Sequence, residues 1–296
     1  MVDVYRTPDD RFLNLPDFDY EPRYIENLPG CDGLRMHYLD EGGAGGRVFL
    51  CLHGEPTWSF LYRKMLPVFT GAGHRVVAPD YFGFGRSDKP NDEVYTFDFH
   101  RNSLLRLVER LDLSNITIVC QDWGGLIGLT LPLDIAERVT GLIAMNTILC
   151  TGEMPLPDAF VAWRKWAAEH PDMDIAEAME VIDDTVPLPV REAYRAPFPD
   201  ERSKAGARAF PVIVPTEMET PGAEISRRAR DWWQSEWTGQ SLIACGVHDQ
   251  ILGLPVMQLL ASWVKNAPPV FEVSDAGHFV QERGEVVAKK ALELFD

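Results

Sequence analysis

The sequence predicts an α/β protein with a mostly parallel central sheet flanked by helices and a helical cap inserted into it. Three observations carry this prediction. Short runs that are apolar at nearly every residue recur along the chain, as strands covered on both faces require. Stretches with apolar residues at helical spacing alternate with them. One region rich in Trp, Ala, Glu and Pro, residues 151–215, interrupts the alternation.

The first buried strand is Arg47-Val48-Phe49-Leu50-Cys51-Leu52, which runs into the loop His53-Gly54-Glu55-Pro56. Residues 58–69 are expected to follow as a helix, and 75–79 as the next strand. Asp80-Tyr81-Phe82-Gly83-Phe84-Gly85-Arg86-Ser87-Asp88 is a glycine-rich loop. It lacks a full G-x-G-x-x-G and the Gly-Lys-Ser/Thr phosphate signature, so structural turns explain its glycines better than a nucleotide does. Residues 97–111 form a helix, with Leu104, Leu105, Leu107, Val108 and Leu111 at helical spacing. Ile116-Thr117-Ile118-Val119-Cys120-Gln121 is a strand that meets a tight turn at Asp122, and residues 126–133 continue as a helix. Residues 141–146, 241–246 and 270–273 are further strands. The interrupting region holds Trp163 and Trp166, with prolines at 187, 189, 197, 199, 211 and 215, which predicts short helices joined by proline turns. The expected organisation is a core of residues 1–150 and 216–296 carrying a cap of residues 151–215.

Lys and Arg number 28 against 45 Asp and Glu, a net charge of −17 that disfavours nucleic acid and anionic membrane as partners. A neutral small molecule stays open to it. Hydrophobic residues are 46% of the chain, which excludes disorder over most of its length. The cysteines lack metal-binding spacing, and Cys51, Cys120 and Cys245 sit in apolar runs as packing residues. The opening run, Met1-Val2-Asp3-Val4-Tyr5-Arg6, has neither the basic start nor the apolar stretch of a signal peptide. No apolar run is long enough to predict a transmembrane helix. The default is a cytoplasmic protein and a monomer, with assembly left open.

Three residues point to chemistry. Asp122 stands at a strand's carboxyl end, where open α/β sheets bind ligands. Asp249 follows the strand 241–246, and His278 follows the strand 270–273. The order nucleophile, acid, histidine is that of α/β hydrolases, which place a Ser at the centre of such a turn. Each residue has a blander reading. Asp122 would cap the next helix, Asp249 would serve a turn, and His278 would sit in the core. Agreement among three separate placements favours chemistry.

On these residues the chain resembles the haloalkane dehalogenases of the α/β-hydrolase superfamily, from Arg6-Thr7-Pro8-Asp9 to the last helix. The resemblance implies that Asp122, within Gln121-Asp122-Trp123-Gly124-Gly125, is the nucleophile. It implies that His278, within Asp275-Ala276-Gly277-His278-Phe279, is the base and that Asp249 is its acid partner. Glu55 and Trp123 would supply oxyanion N–H groups, because Pro56 has none. Trp123 matches one halide-binding tryptophan. The second, in one branch of the family, comes from the cap and matches Trp163 within Phe160-Val161-Ala162-Trp163; Trp166, three positions on, is the alternative. Phe160, Phe198 (within Ala196-Pro197-Phe198-Pro199-Asp200) and Phe210 are expected to line the pocket. Small halogenated hydrocarbon and halide are the implied partners, with no cofactor and no metal.

The chemistry explains the aspartate. A Ser that displaced a group from saturated carbon would be left as a stable ether. An Asp carboxylate forms an ester, whose carbonyl water can attack. A departing halide needs donors, and Trp offers an indole N–H with no acceptor. An epoxide hydrolase shares the Asp, the His-Gly-x-Pro loop and Asp-Trp-Gly-Gly. It needs cap tyrosines as acids, and this cap holds only Tyr194. A fluoroacetate-type dehalogenase would place arginines beside the nucleophile, where Trp123, Gly124 and Gly125 stand. A non-enzymatic receptor on the same fold would tolerate a broken triad, and here the triad is complete.

Overall fold

The computed structural model describes residues 3–43 and 45–295. Met1, Val2, Ala44 and Asp296 lie outside it, including the first two residues of the opening run. The strands are β1 (Val4–Tyr5), β2 (Arg23–Glu26), β3 (Arg35–Gly42), β4 (Val48–Leu52), β5 (Arg75–Pro79), β6 (Lys89–Pro90), β7 (Ile116–Gln121), β8 (Val139–Met145), β9 (Gln240–Gly246) and β10 (Phe271–Val273). The α-helices are α1 (Leu66–Gly71), α2 (Phe97–Arg110), α3 (Trp123–Gly128), α4 (Pro132–Ile135), α5 (Asp158–Glu169), α6 (Ile175–Ile182), α7 (Leu188–Arg195), α8 (Ala205–Ile213), α9 (Ala223–Ser235), α10 (Leu254–Trp263) and α11 (Gly284–Phe295).

The central sheet runs β10-β9-β8-β7-β4-β5-β3-β2. From β10 to β5 every pairing is parallel, and β3 and β2 complete the sheet antiparallel. Strands β4 and β7 are buried at every position, which is why they read as nearly continuous apolar runs. On one face the Phe49 ring of β4 stacks on Phe69 of α1, with centroids 3.7 Å apart. Helix α2 starts at Thr96, whose hydroxyl oxygen accepts the Phe99 N–H at 3.0 Å.

Two expected helices are broken, each by a proline. Residues 58–69 form a short 3-10 turn, Ser59–Tyr62, and then α1, in whose first turn Pro67 stands. Residues 126–133 are split between α3 and α4, where Pro132 opens the second helix. Proline has no N–H to bond back into a preceding turn, so it begins a helix and does not continue one. The antiparallel β2 and β3, and the two-stranded β1–β6 ribbon, are absent from the sequence reading. Helices α5 to α8 fall between β8 and β9 and roof the carboxyl ends of the strands.

Candidate active site

Asp122 occupies the turn between β7 and α3 with φ 50° and ψ −124°, a conformation that non-glycine residues rarely adopt. Its backbone is held on both sides. The Asp122 N–H donates to the Asn146 carbonyl at 3.0 Å, and its own carbonyl accepts the Thr147 hydroxyl at 2.7 Å. The turn also needs its glycines. A Cβ on Gly124 would lie 1.9 Å from the Leu52 carbonyl oxygen, and one on Gly125 2.0 Å from Thr147 Oγ1. Asp122 sits at the N-cap position of α3, yet its side chain makes no capping bond. The carboxylate instead faces the loop after β4, where Oδ1 accepts the Glu55 N–H at 2.8 Å. The adjoining Trp123 N–H favours its charged form as well.

His278 arrives from the loop after β10, with Nε2 3.9 Å from Asp122 Oδ2. Its Nδ1 lies 2.8 Å from Asp249 Oδ2. Asp249, past the end of β9, also accepts the backbone N–H groups of Ile251 (2.8 Å) and Leu252 (3.0 Å) through Oδ1. The structure therefore brings Asp122, His278 and Asp249 together across three strand ends.

Two neighbours escaped the sequence reading. Asn146, at the end of β8, donates to Asp249 Oδ2 at 2.9 Å and accepts the Gly246 N–H at 2.8 Å. Gln121 places its amide nitrogen 2.9 Å from His278 Nε2 and 3.2 Å from the His278 carbonyl, while its own Oε1 is buried without a partner. Both are single amides at the ends of largely apolar strands, a pattern visible in the sequence that does not name the partners they meet.

The electrostatics follow from burial and pairing. Burial works against the Asp249 carboxylate, yet the His278 charge and the N–H donors overcome it and hold the group down at about 2. Burial likewise opposes the His278 imidazolium. The carboxylates of Asp249, Asp122 and Asp183 win, and its pKa rises to about 9. Asp122 is raised by burial, against the pull of His278 and its N–H donors. Glu55 is pushed well above the carboxylate range by burial and then by Asp122, so its site favours the neutral acid.

Above Asp122 lies a cavity of about 430 Å³, within the usual range for a small-molecule site. Apolar side chains dominate its wall, among them Leu126, Ile148, Leu149, Leu156, Val214, Val256 and Leu259. Trp123 and Trp163 both line it, the latter reaching in from α5 with Phe160. Trp166 does not line the cavity. It stacks between Trp163 and His170, with centroids at 5.2 and 4.6 Å. Phe198 and Phe210 correct the sequence expectation, for neither lines the cavity. Phe210 is fully buried behind Trp123, with ring centroids 4.5 Å apart, and also packs on Phe84 and His100. Its role is to back the tryptophan, an aromatic contact of about 1 kcal/mol. Phe198 packs edge-on against Phe84 at 6.1 Å. Tyr194, the tyrosine an epoxide-opening cap would need, is buried away from the cavity and donates to Glu282 Oε1 at 2.8 Å. Among the described residues, no group of three or more His, Cys, Asp or Glu side chains could hold a metal ion. No helix among them is long and apolar enough to cross a membrane.

A sheet of this order, a nucleophile position in a strained strand-to-helix turn and a histidine–acid pair on later strand ends define an α/β hydrolase. A family profile described as "alpha/beta hydrolase fold" matches residues 47–285. A haloalkane dehalogenase of Psychrobacter cryohalolentis is 43% identical over 98% of this chain and 97% of its own length. One from Mycolicibacterium paratuberculosis is 41% identical over the same shares. The solved structure of the haloalkane dehalogenase DpaA from Paraglaciecola agarilytica, described as tetrameric, superposes with a TM-score of 0.96 at 48% identity, covering 99% of each chain. The chain belongs to the haloalkane dehalogenase family.

Proposed function

We propose that this enzyme hydrolyses the carbon–halogen bond of small haloalkanes to a primary alcohol, halide and a proton, through an alkyl ester on Asp122. One observation carries the reading: the partly buried Asp122 carboxylate faces an apolar cavity whose wall holds two indoles, Trp123 and Trp163. In this reading Oδ1 is already committed to the Glu55 N–H, so Oδ2 is the attacking oxygen. It bonds to the halogen-bearing carbon while the carbon–halogen pair leaves on the halide, between the indole N–H groups of Trp123 and Trp163. Those donors gain strength as charge develops, which lowers the barrier and not merely the binding energy.

Esterification removes the Asp122 charge. One of the anions holding the proton on His278 is thereby lost, so the imidazole becomes easier to deprotonate when a base is needed. His278 Nε2 then takes a proton from water as the water oxygen attacks Asp122 Cγ. Asp249 fixes the tautomer through Nδ1 and stabilises the imidazolium. The former Oδ1 carries the tetrahedral charge toward the N–H groups of Glu55 and Trp123. Collapse expels the alcohol and regenerates the carboxylate. Glu55, whose site favours the neutral acid and which lines the cavity, is suited to hold the water.

The finer expectations belong to the same reading: a cap spanning residues 151–215, a cytoplasmic location and a monomer. The Paraglaciecola relative supplies a tetramer as the alternative assembly, and sedimentation separates it from a 33.4 kDa monomer. An epoxide-opening reading lacks its acid, because no tyrosine is among the residues lining the cavity. The decisive experiment is a single turnover of a bromoalkane in heavy-oxygen water. The expected label is in the Asp122 carboxyl group, with bromide and acid released one for one. Label in the alcohol alone would overturn the ester.

A further inference from the structure

The cap holds the His278 loop at a point that the chemistry above leaves unused. Asp183 closes α6, one residue past Ile182, which lines the cavity. It is only 5% exposed. Its Oδ1 accepts the N–H and hydroxyl of Thr185 at 3.1 and 2.6 Å, an ordinary local turn. Its Oδ2 leaves that turn and accepts the Phe279 N–H at 3.1 Å, 96 residues along the chain. On the other side of His278, Gly277 leaves room for it: a Cβ there would lie 2.5 Å from the same Oδ2. One carboxylate from the cap thus bonds the residue after His278 and packs against the residue before it.

We propose that Asp183 is a positioning residue for the hydrolytic half of the reaction, clamping the His278 loop from the cap and adding a third carboxylate to those that face the imidazole. The other two are Asp249, past β9, and Asp122, past β7; Gln121 offers an uncharged amide, and Glu55 faces Asp122. Tyr194 and Arg63 also tie this segment down, but through Glu282, four residues beyond His278 and inside the following helical turn. Halide departure needs Asp122 and not His278, whereas ester hydrolysis needs the imidazole aimed at a water. A clamp on His278 therefore acts on the second step alone. Because Asp183 adjoins Ile182, it also joins the cavity wall to the base through two consecutive cap residues.

The inference rests on the ester mechanism proposed above. Its test is rapid-quench mass spectrometry with a short bromoalkane, following bromide release and decay of the alkyl-enzyme from neutral to alkaline pH. Asp183→Ala is expected to keep the bromide burst and to slow hydrolysis about tenfold or more, as small misplacements of a reacting group do. Asp183→Asn keeps an oxygen for the Phe279 N–H, so it should recover most of the rate. Removing an anion makes the imidazolium easier to deprotonate, so the same variant should move the hydrolysis inflection down by on the order of half a pH unit. Hydrolysis at the parent rate in Asp183→Ala overturns the proposal. So does an equal loss in both steps with no movement of the Asp183→Asn inflection, which marks a purely structural role. Should Asp183→Ala fail to fold, the Asp183→Asn inflection decides alone. A parent enzyme that forms no alkyl-enzyme sinks the ester mechanism, and is recognised because the parent fails and not the variant.

Discussion

Strands β4 and β7 are buried at every residue, whereas α5 in the cap buries only Trp163 and Ala167 and leaves Val161 half exposed. The contrast extends to how side chains are held. Below the cavity, Asp122 and Asp249 are fixed by backbone N–H groups, and Asn146 and Thr147 brace the same strand ends. Above it, single side chains dip in from short helices whose outer faces carry Val181, Leu188 and Val212 in solvent. The nucleophile and its acid are over-determined by the sheet, while the leaving group rests on Trp123 of the core and Trp163 of the cap, and the substrate's shape depends on individual cap residues. Core substitutions should therefore abolish a step, and cap substitutions should grade it.

The largest expected effect is that of Asp122→Ala. Turnover should fall by on the order of 10⁴ or more, since no other group offers a displaceable ester. Stability should hold or rise, because the variant removes a partly buried carboxylate from a site that disfavours its charge. Steady halide release by this variant would break the division between sheet and cap at its root.

His278→Gln comes next. It should release one equivalent of bromide and then stall as an alkyl-enzyme visible by mass spectrometry. Rapid steady turnover would remove His278 as the base. The same variant tests the electrostatics through stability. In the parent the His278 pKa of about 9 exceeds its ordinary 6.5, so its contribution is complete below about 6.5 and is lost as pH rises through 9. Asp249, held at about 2, contributes above its ordinary 3.8 and loses that as pH falls through 2. His278→Gln should flatten the melting temperature between pH 6.5 and 9 relative to the parent. An unchanged slope there would mean that the imidazole is not held charged.

How much of this was legible in the sequence follows the same division. Strands covered on both faces announced themselves, as β4, β7 and β8 did. Strands β2 and β3 did not, because an edge pair mixes Arg23, Glu26, Arg35 and Asp40 into its pattern. Asp122, Asp249 and His278 were legible because each directly follows a readable strand. Gln121, Asn146 and Asp183 were not. Their partners lie 157, 103 and 96 residues away, and nothing local encodes such a meeting. In the cap, resemblance singled out Trp163 but misplaced Phe198 and Phe210, since aromatic residues at helical spacing do not say which side of a packed layer they take.

Trp163→Phe sharpens the comparison from the cap side. The ring volume is largely kept and one N–H is lost, a change worth about a hundredfold when the donor serves a developing anion. Chloride, with the most concentrated charge, should suffer most, bromide less and iodide least. Equal slowing of all three would return Trp163 to the role of a packing residue. The loss should fall on alkylation, so that alkyl-enzyme no longer accumulates in a double variant with His278→Gln on the millisecond scale.

The smallest effects come from two neighbours on α5. Phe160 lines the cavity, and Val161 is 51% exposed and does not. Phe160→Ala enlarges the space above Asp122, so longer or branched bromoalkanes should gain a few-fold in kcat/KM over short ones, the scale at which apolar pockets discriminate. Val161→Ala should leave that ratio alone and change stability by no more than about 0.5 kcal/mol. A specificity shift of the same size in both would mean that substrate choice follows the looseness of α5 as a whole. A shift confined to Phe160 means that the cap selects through the side chains it inserts, one residue at a time, above a sheet that does not change.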